Sequence, residues 1–218
     1  MKSKKELEQR SYNIEVRADQ TESGESILVG RPIVYNSRTN LGLFDEIIAS
    51  GALDGTDLTD VRFLTNHDLS NIPLARSRRN NGSSTMKLTP DEIGLSMDFV
   101  RLDTKNNADA RALYSAVQRG DVTGMSMMFS IDEERWENLE SEHPTRVIEK
   151  IGSIVEISAV TFPAYEATSI EARSKAALDS ARLALENAKQ QRAKSVDTDS
   201  KTLELLKAKT EILGGIRK

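Results

Sequence analysis

The chain has 218 residues, of which 38% are hydrophobic and 29% charged, which suits one domain of ordinary size with an appendage. Its net charge of -4 argues against a nucleic-acid-binding protein, because such proteins usually present a basic surface. The absence of cysteine excludes disulfide scaffolds, thiolate zinc sites and cysteine nucleophiles. With two histidines, His67 and His143, we do not expect a multi-histidine metal site. The chain has no membrane-length apolar run and no N-terminal secretory signal, so we expect a soluble intracellular protein without membrane contact.

The first strand-like runs lie near the N-terminus, and similar runs recur along most of the chain. An alternating run over 85–89, a turn at 90–94 and a second alternating run over 95–100 predict a hairpin. A helix is predicted over 108–119, with Asn106 or Asn107 before it and Gly120 after it. The other predicted strands cover residues 26–29, 32–35, 124–129, 146–151 and 154–162. Many short strands with one or two helices predict an α+β, mainly β fold, built as a small β-barrel or a strongly curved sheet.

The composition changes near residue 166, because the last proline is Pro163 and the last aromatic residue is Tyr165. Residues 1–166 are acidic overall, whereas residues 167–218 are basic and rich in good helix formers. We therefore predict a globular body followed by a C-terminal helical tail. A polar stretch over 195–200 predicts that the tail splits into two helices, the second capped by Asp199 or Ser200.

Ser126 lies in a strand-like run, two residues after Gly124, and is a candidate nucleophile. The run is not the nucleophile elbow of esterase-type hydrolases, because its fifth position is Met128 rather than glycine. A strand face that packs Ser126 and Ser130 against neighbouring residues is the simpler interpretation of this run.

His67 follows a short apolar run, and a neutral imidazole is the commonest general base at neutral pH. His143 lies between acidic residues and a proline, as expected of a solvated loop, but it stays a possible third member of a catalytic triad. Glu156 is a charge within an apolar strand and shares a strand face with Ser158. Since burying a carboxylate is costly without a partner, Glu156 either faces water or is held by a group such as a histidine.

Several of these stretches, taken in order, resemble the prohead proteases of tailed bacteriophages. The matching stretches are GRPIVY (30–35), FDEIIASGAL (44–53), NHD (66–68), DEIGL (91–95), GDVTGMS (120–126) and VEISAVTFPAY (155–165). The resemblance implies a serine endopeptidase similar in fold to herpesvirus assemblins, with a β-barrel and surrounding helices. It assigns the catalytic histidine to His67 and the nucleophile to Ser126. By position the third residue is Glu156, with His143 as the alternative.

The resemblance also implies partners and a location. Such an enzyme acts inside the immature capsid in the host bacterial cytoplasm, where it cleaves the scaffolding protein or segment, the major capsid protein precursor and itself. It needs no metal or cofactor, and a homodimer or higher oligomer is possible. The tail would bind scaffold or capsid subunits and be removed by self-cleavage. The alternative is a non-catalytic scaffold or capsid-assembly protein, which would have no need to keep both His67 and Ser126.

Overall fold

The structure is a computed structural model that describes residues 7–78, 82–161 and 175–215. Strands dominate these ranges, and two α-helices follow the eighth and the tenth strand. The elements are β1 (Leu7–Gln20), β2 (Ser26–Val34), β3 (Thr39–Asn40), β4 (Asp45–Ile48), β5 (Arg62–Thr65), β6 (Ala75–Arg76), β7 (Met86–Pro90), β8 (Gly94–Arg101), α1 (Ala108–Arg119), β9 (Gly124–Glu137), β10 (Thr145–Val160) and α2 (Lys175–Gly215).

The strands form one sheet in the order β3-β4-β10-β9-β1-β2-β8-β7, with β5 paired to β10 and β6 paired to β5. The first half of β1 pairs with β9 and its second half pairs with β2. The register of β1 against β9 shifts between Tyr12 and Glu15, which marks a bulge where the strand passes from one partner to the other. β1 therefore links the two halves of the sheet.

The mainly β, α+β class is confirmed, but the predicted small β-barrel is wrong, because the sheet does not close. A barrel needs continuous pairing around its circumference. Among the described strands the sheet is open, because β3 and β7 stand at its two ends without pairing to each other. β3 has two residues and pairs with β4, so it offers almost no ladder along which the sheet could close.

Two local predictions are confirmed by the structure. The predicted hairpin is β7 and β8, and the predicted helix is α1. The side chain of Asn107 accepts hydrogen bonds from the first turn of α1, and Gly120 ends the helix in the left-handed region with a φ of 79°.

The predicted breaks within the strands are wrong, because neighbouring runs join. β2 (Ser26–Val34) joins the two predicted N-terminal runs up to Val34, and β10 is one strand of 16 residues. The pairing of β10 with β9 shifts register between Ile151 and Ser153, so the strand accommodates Gly152 as an irregularity rather than ending there.

The predicted division of the tail into two helices is also wrong, because α2 is continuous through residues 195–200. The hydroxyls of Ser195 and Thr198 donate to the carbonyl oxygens of Arg192 and Lys194, a pattern compatible with an uninterrupted helix. Neither Asp199 nor Ser200 therefore caps a second helix. The predicted boundary at residue 166 lies outside the described residues.

The first part of α2 packs against the body of the protein. Ala181 is buried against Leu41 and Phe44, and Leu185 and Trp136 complete this apolar contact. None of the helices in the described ranges combines the length and the apolar character needed to cross a bilayer.

The main hydrophobic core joins the strands that surround the site described below. Fully buried side chains from β5, β8, β9 and β10 belong to one cluster, among them Phe63, Met97, Phe129 and Ile157. Because protein cores are close-packed, this cluster gives the strands beneath the site a rigid backing.

Candidate active site

β10 lies between β9 and β5 and brings three distant parts of the chain together. Ser158 on β10 pairs with Ser126 on β9, and Ala159 pairs in parallel with Thr65 at the end of β5. Since side chains alternate along a strand, Ser126, Ser158 and Glu156 share one face of the sheet, as the alternation in the sequence predicts for Glu156 and Ser158.

His67 reaches this face through a tight turn directly after β5. Asn66 and His67 both have left-handed backbone angles, with φ of 51° and 58°, which are uncommon for residues other than glycine. The turn is tied to β10: Asn66 N donates to the carbonyl oxygen of Ala159 at 3.0 Å, and Asn66 Oδ1 accepts from Thr161 N at 2.9 Å. These bonds hold a conformation that costs energy by itself.

A chain of two short hydrogen bonds links Glu156, His67 and Ser126. Glu156 Oε1 lies 2.6 Å from His67 Nδ1, and His67 Nε2 lies 2.6 Å from Ser126 Oγ. A carboxylate accepts hydrogen bonds, so the Nδ1 proton faces Glu156 and leaves Nε2 of the neutral ring as an acceptor for the serine hydroxyl. This arrangement has the geometry of a nucleophile, a general base and an orienting acid.

The three side chains are shielded from solvent to different degrees. Ser126 is 2% exposed and Glu156 1%, whereas the side chain of His67 is 11% exposed. A buried carboxylate needs partners, and Glu156 has a second one, because Ser158 Oγ donates to its Oε2 at 2.8 Å. Low solvent access strengthens the electrostatic interactions within the site.

The N-terminal strand also touches the candidate nucleophile. The carbonyl oxygen of Arg10 lies 2.9 Å from Ser126 Oγ. The guanidinium of Arg10 is buried and donates from Nε to Glu46 Oε1 at 2.9 Å. No local pattern in the sequence marks Arg10, because its contacts with Glu46 and Ser126 join positions that are distant along the chain.

Arg10 belongs to an ion cluster of five side chains beside the site. Its members are Glu8, Arg10, Glu46, Glu134 and Arg146. Burial alone would lower the pKa of Arg146, but its hydrogen bond to Glu8 and the charges of the carboxylates raise it above the ordinary value. The guanidinium therefore stays charged, and the cluster joins β1 to β4, β9 and β10.

The structure places His143 away from the hydrogen-bonded chain. Its side chain is 38% exposed, and its Nε2 lies 2.9 Å from Asp45 Oδ1. Partial burial alone would raise the pKa of Asp45, but hydrogen bonds from His143 and Arg38 lower it below its ordinary value. The group that the structure brings to His67 is therefore Glu156.

Two further features bear on the predictions made from sequence. Ser130, expected on the same strand face as Ser126, lies with its Oγ 3.0 Å from Ser153 Oγ and outside the hydrogen-bonded chain.

Within the ranges that the structure describes, no group of three or more histidine and acidic side chains has an arrangement suited to a metal ion.

The chain matches a known family over most of its length. A family model described as caudovirus prohead serine protease matches residues 12–181, more than three quarters of the chain. The chain belongs to the caudovirus prohead serine protease family. Searches of curated proteins and of solved structures found no match.

The range matched by the prohead serine protease family contains Ser126, His67 and Glu156, but Arg10 precedes it. The family resemblance seen in the sequence is therefore confirmed. Two further residues of the site have a signal in the sequence: Asn66 lies within the NHD motif, and strand alternation places Ser158 on the same face as Glu156. The contacts that both make with the site are seen in the structure alone.

Proposed function

We propose that this chain is a serine endopeptidase that cleaves the major capsid protein precursor, the scaffolding protein and itself during prohead maturation. The observation that carries the proposal is the chain of two 2.6 Å hydrogen bonds from Glu156 through His67 to Ser126. Membership of the prohead serine protease family supports the same reaction class and a place inside the prohead.

In the proposed mechanism, His67 Nε2 takes the proton of Ser126 as Oγ attacks the peptide carbonyl carbon. Glu156 keeps its hydrogen bond to Nδ1 and stabilises the imidazolium that forms. The imidazolium then donates the Nε2 proton to the leaving amine, and an acyl-enzyme remains on Ser126. A water molecule, deprotonated by His67, attacks the ester carbonyl carbon; the bond to Ser126 Oγ breaks, and the imidazolium returns the proton to Oγ as the second product leaves.

The test is the intact mass of the protein and its capsid precursor after co-expression with the scaffolding protein. We expect processed products with the wild-type chain and with Ser130→Ala, whose hydroxyl lies outside the hydrogen-bonded chain. We expect no processing with Ser126→Ala. Equal cleavage by Ser126→Ala would make Ser126 a structural residue. Proheads that form with uncleaved wild-type protein would favour a non-catalytic assembly factor.

The proposal includes a recruiting role for the tail. The first part of α2 is docked on the body, where Arg192 pairs with Glu140 at 2.8 Å. Farther along, Val196, Leu205 and Leu206 are exposed apolar side chains. The helix after residue 195 thus offers apolar surface to a scaffold or capsid subunit.

A chain ending at Ser195 tests recruitment, because it keeps the docked part of α2 with Ala181 and Leu185. We expect this chain to enter proheads at a reduced level, measured by quantitative mass spectrometry of purified particles. A chain ending at Glu171, which loses all of α2, should be reduced at least as much. Incorporation of both at the full level would overturn the recruiting role.

A further inference from the structure

Ser158 contacts two of the three proposed catalytic residues with a single hydroxyl. Its Oγ donates to Glu156 Oε2 at 2.8 Å and accepts from the backbone N–H of His67 at 3.0 Å. We infer that Ser158 is a positioning residue of the active site, which fixes the carboxylate and the histidine relative to each other. The inference rests on the proposed function.

Both bonds are difficult to replace by solvent. Ser158 is fully buried, at 0% exposure, so water does not compete for its hydroxyl or stand in for it. A hydroxyl has one proton to donate, and in this structure the proton goes to the carboxylate. Its oxygen then accepts the N–H of His67, so both functions of the hydroxyl serve the site.

Because of the bond to Ser158, the two carboxylate oxygens of Glu156 have different hydrogen-bond partners. Oε2 is held by Ser158, and Oε1 faces His67 Nδ1 at 2.6 Å. A carboxylate held at one oxygen is less able to rotate, so the other oxygen keeps its direction toward the imidazole. Hydrogen bonds to charged groups are among the stronger ones in proteins.

The bond to His67 acts on the backbone. His67 has a left-handed φ of 58°, a conformation that persists where surrounding contacts hold it. The contact between His67 N and Ser158 Oγ fixes the point from which the imidazole projects toward Ser126. Ser158 thereby acts through His67 and Glu156, with no contact to substrate required.

Substitution of Ser158 by alanine tests the inference, with Ser130→Ala as the matched control. Ser130 is also a buried serine in the same sheet, but its hydroxyl pairs with Ser153. The measurement is the rate constant for covalent labelling of Ser126 by a small fluorophosphonate, expressed per folded molecule after thermal unfolding has been measured. We expect a fall of about 10- to 100-fold for Ser158→Ala and less than about twofold for Ser130→Ala. An unchanged rate for Ser158→Ala would overturn the inference.

A second measurement does not depend on turnover. The proton between His67 Nδ1 and Glu156 gives a low-field signal in the proton NMR spectrum, and Glu156→Gln identifies it. We expect the signal to move or broaden in Ser158→Ala and to stay in place in Ser130→Ala. A signal unaffected by Ser158→Ala would contradict the positioning role. Wild-type protein that fails to label would contradict the proposed function, and the spectrum would still decide the inference.

Discussion

Arg10 and Ser126 are 116 positions apart, yet the carbonyl oxygen of Arg10 lies 2.9 Å from Ser126 Oγ. His67 Nε2 lies 2.6 Å from the same oxygen. Because a serine hydroxyl has one proton, the backbone of β1 and the imidazole compete for it. The buried pair of Arg10 and Glu46 keeps this carbonyl in place, so the N-terminal strand is a part of the site.

Glu156→Gln tests the third member of the proposed triad. Glutamine has nearly the same shape but no negative charge, so it neither stabilises the imidazolium nor fixes the tautomer as a carboxylate does. We expect fluorophosphonate labelling to slow by about three to four orders of magnitude.

The matched variant is His143→Ala, because the described partner of His143 is Asp45 rather than His67. We expect its labelling rate to stay within about twofold of the wild-type rate. A large loss in His143→Ala together with a small one in Glu156→Gln would exchange the two assignments.

Glu46→Ala tests the ion cluster. Removing this fully buried carboxylate takes away one negative charge that Arg10 and Arg146 share, so Glu8 and Glu134 are left to balance two buried guanidinium groups. We expect the free energy of unfolding in urea to fall by about 3–5 kcal/mol. Glu149→Ala removes an exposed pair with Arg135 and should change the free energy of unfolding far less, because water screens exposed charges. Equal losses in the two variants would show that the cluster contributes no more than a surface pair.

Asn66→Ala tests the turn that carries His67. The variant loses the bonds between the Asn66 side chain and Thr161, and alanine tolerates the left-handed φ less well than asparagine. We expect labelling of Ser126 to slow about 10-fold. Asn71→Ala is the control, since Asn71 Nδ2 donates to Asp68 Oδ2 within the same loop. A control variant as slow as Asn66→Ala would point to loosening of the whole loop.

Because of Glu8, the free energy of unfolding should decrease as the pH is lowered into the acid range. Burial alone would raise its pKa, but hydrogen bonding to Arg146 and the charges of Arg10 and Arg146 lower it below the ordinary 4.5. A lowered pKa in the folded state means that the stabilisation is complete above the ordinary value and is lost as the pH falls below it. Urea unfolding at successive pH values should show this loss, and Glu8→Gln should show a smaller one. Parallel profiles for the two proteins would contradict the assignment.

The elements predicted well from sequence are those with local signals. α1 has its capping residues beside it, Asn107 and Gly120, and the β7–β8 hairpin has clear alternation around a turn. The open sheet was not predictable, because whether β3 and β7 meet depends on pairings distant along the chain. In α2 the hydroxyls of Ser195 and Thr198 bond to carbonyl oxygens of their own helix, so the polar composition of residues 195–200 was a misleading signal of a break.

The candidate site was likewise predictable only in part. The family resemblance pointed to Ser126 and His67, and to Glu156 with His143 as the alternative, and strand alternation placed Glu156 and Ser158 on one face. Neither signal specifies that Ser158 bonds to the backbone of His67, since this depends on the left-handed turn after β5. Arg10 could not be predicted, because its contact with Ser126 requires the pairing of the first strand with the ninth.

β10 is the last strand of the described chain, and it is the strand that brings Glu156 to His67. During synthesis on a ribosome, the histidine and the serine are therefore made before the segment that unites them. A nascent chain that stops short of β10 has the proposed nucleophile and base but lacks Glu156. Under the proposed mechanism, the order of translation therefore delays peptide cleavage until β10 has been made.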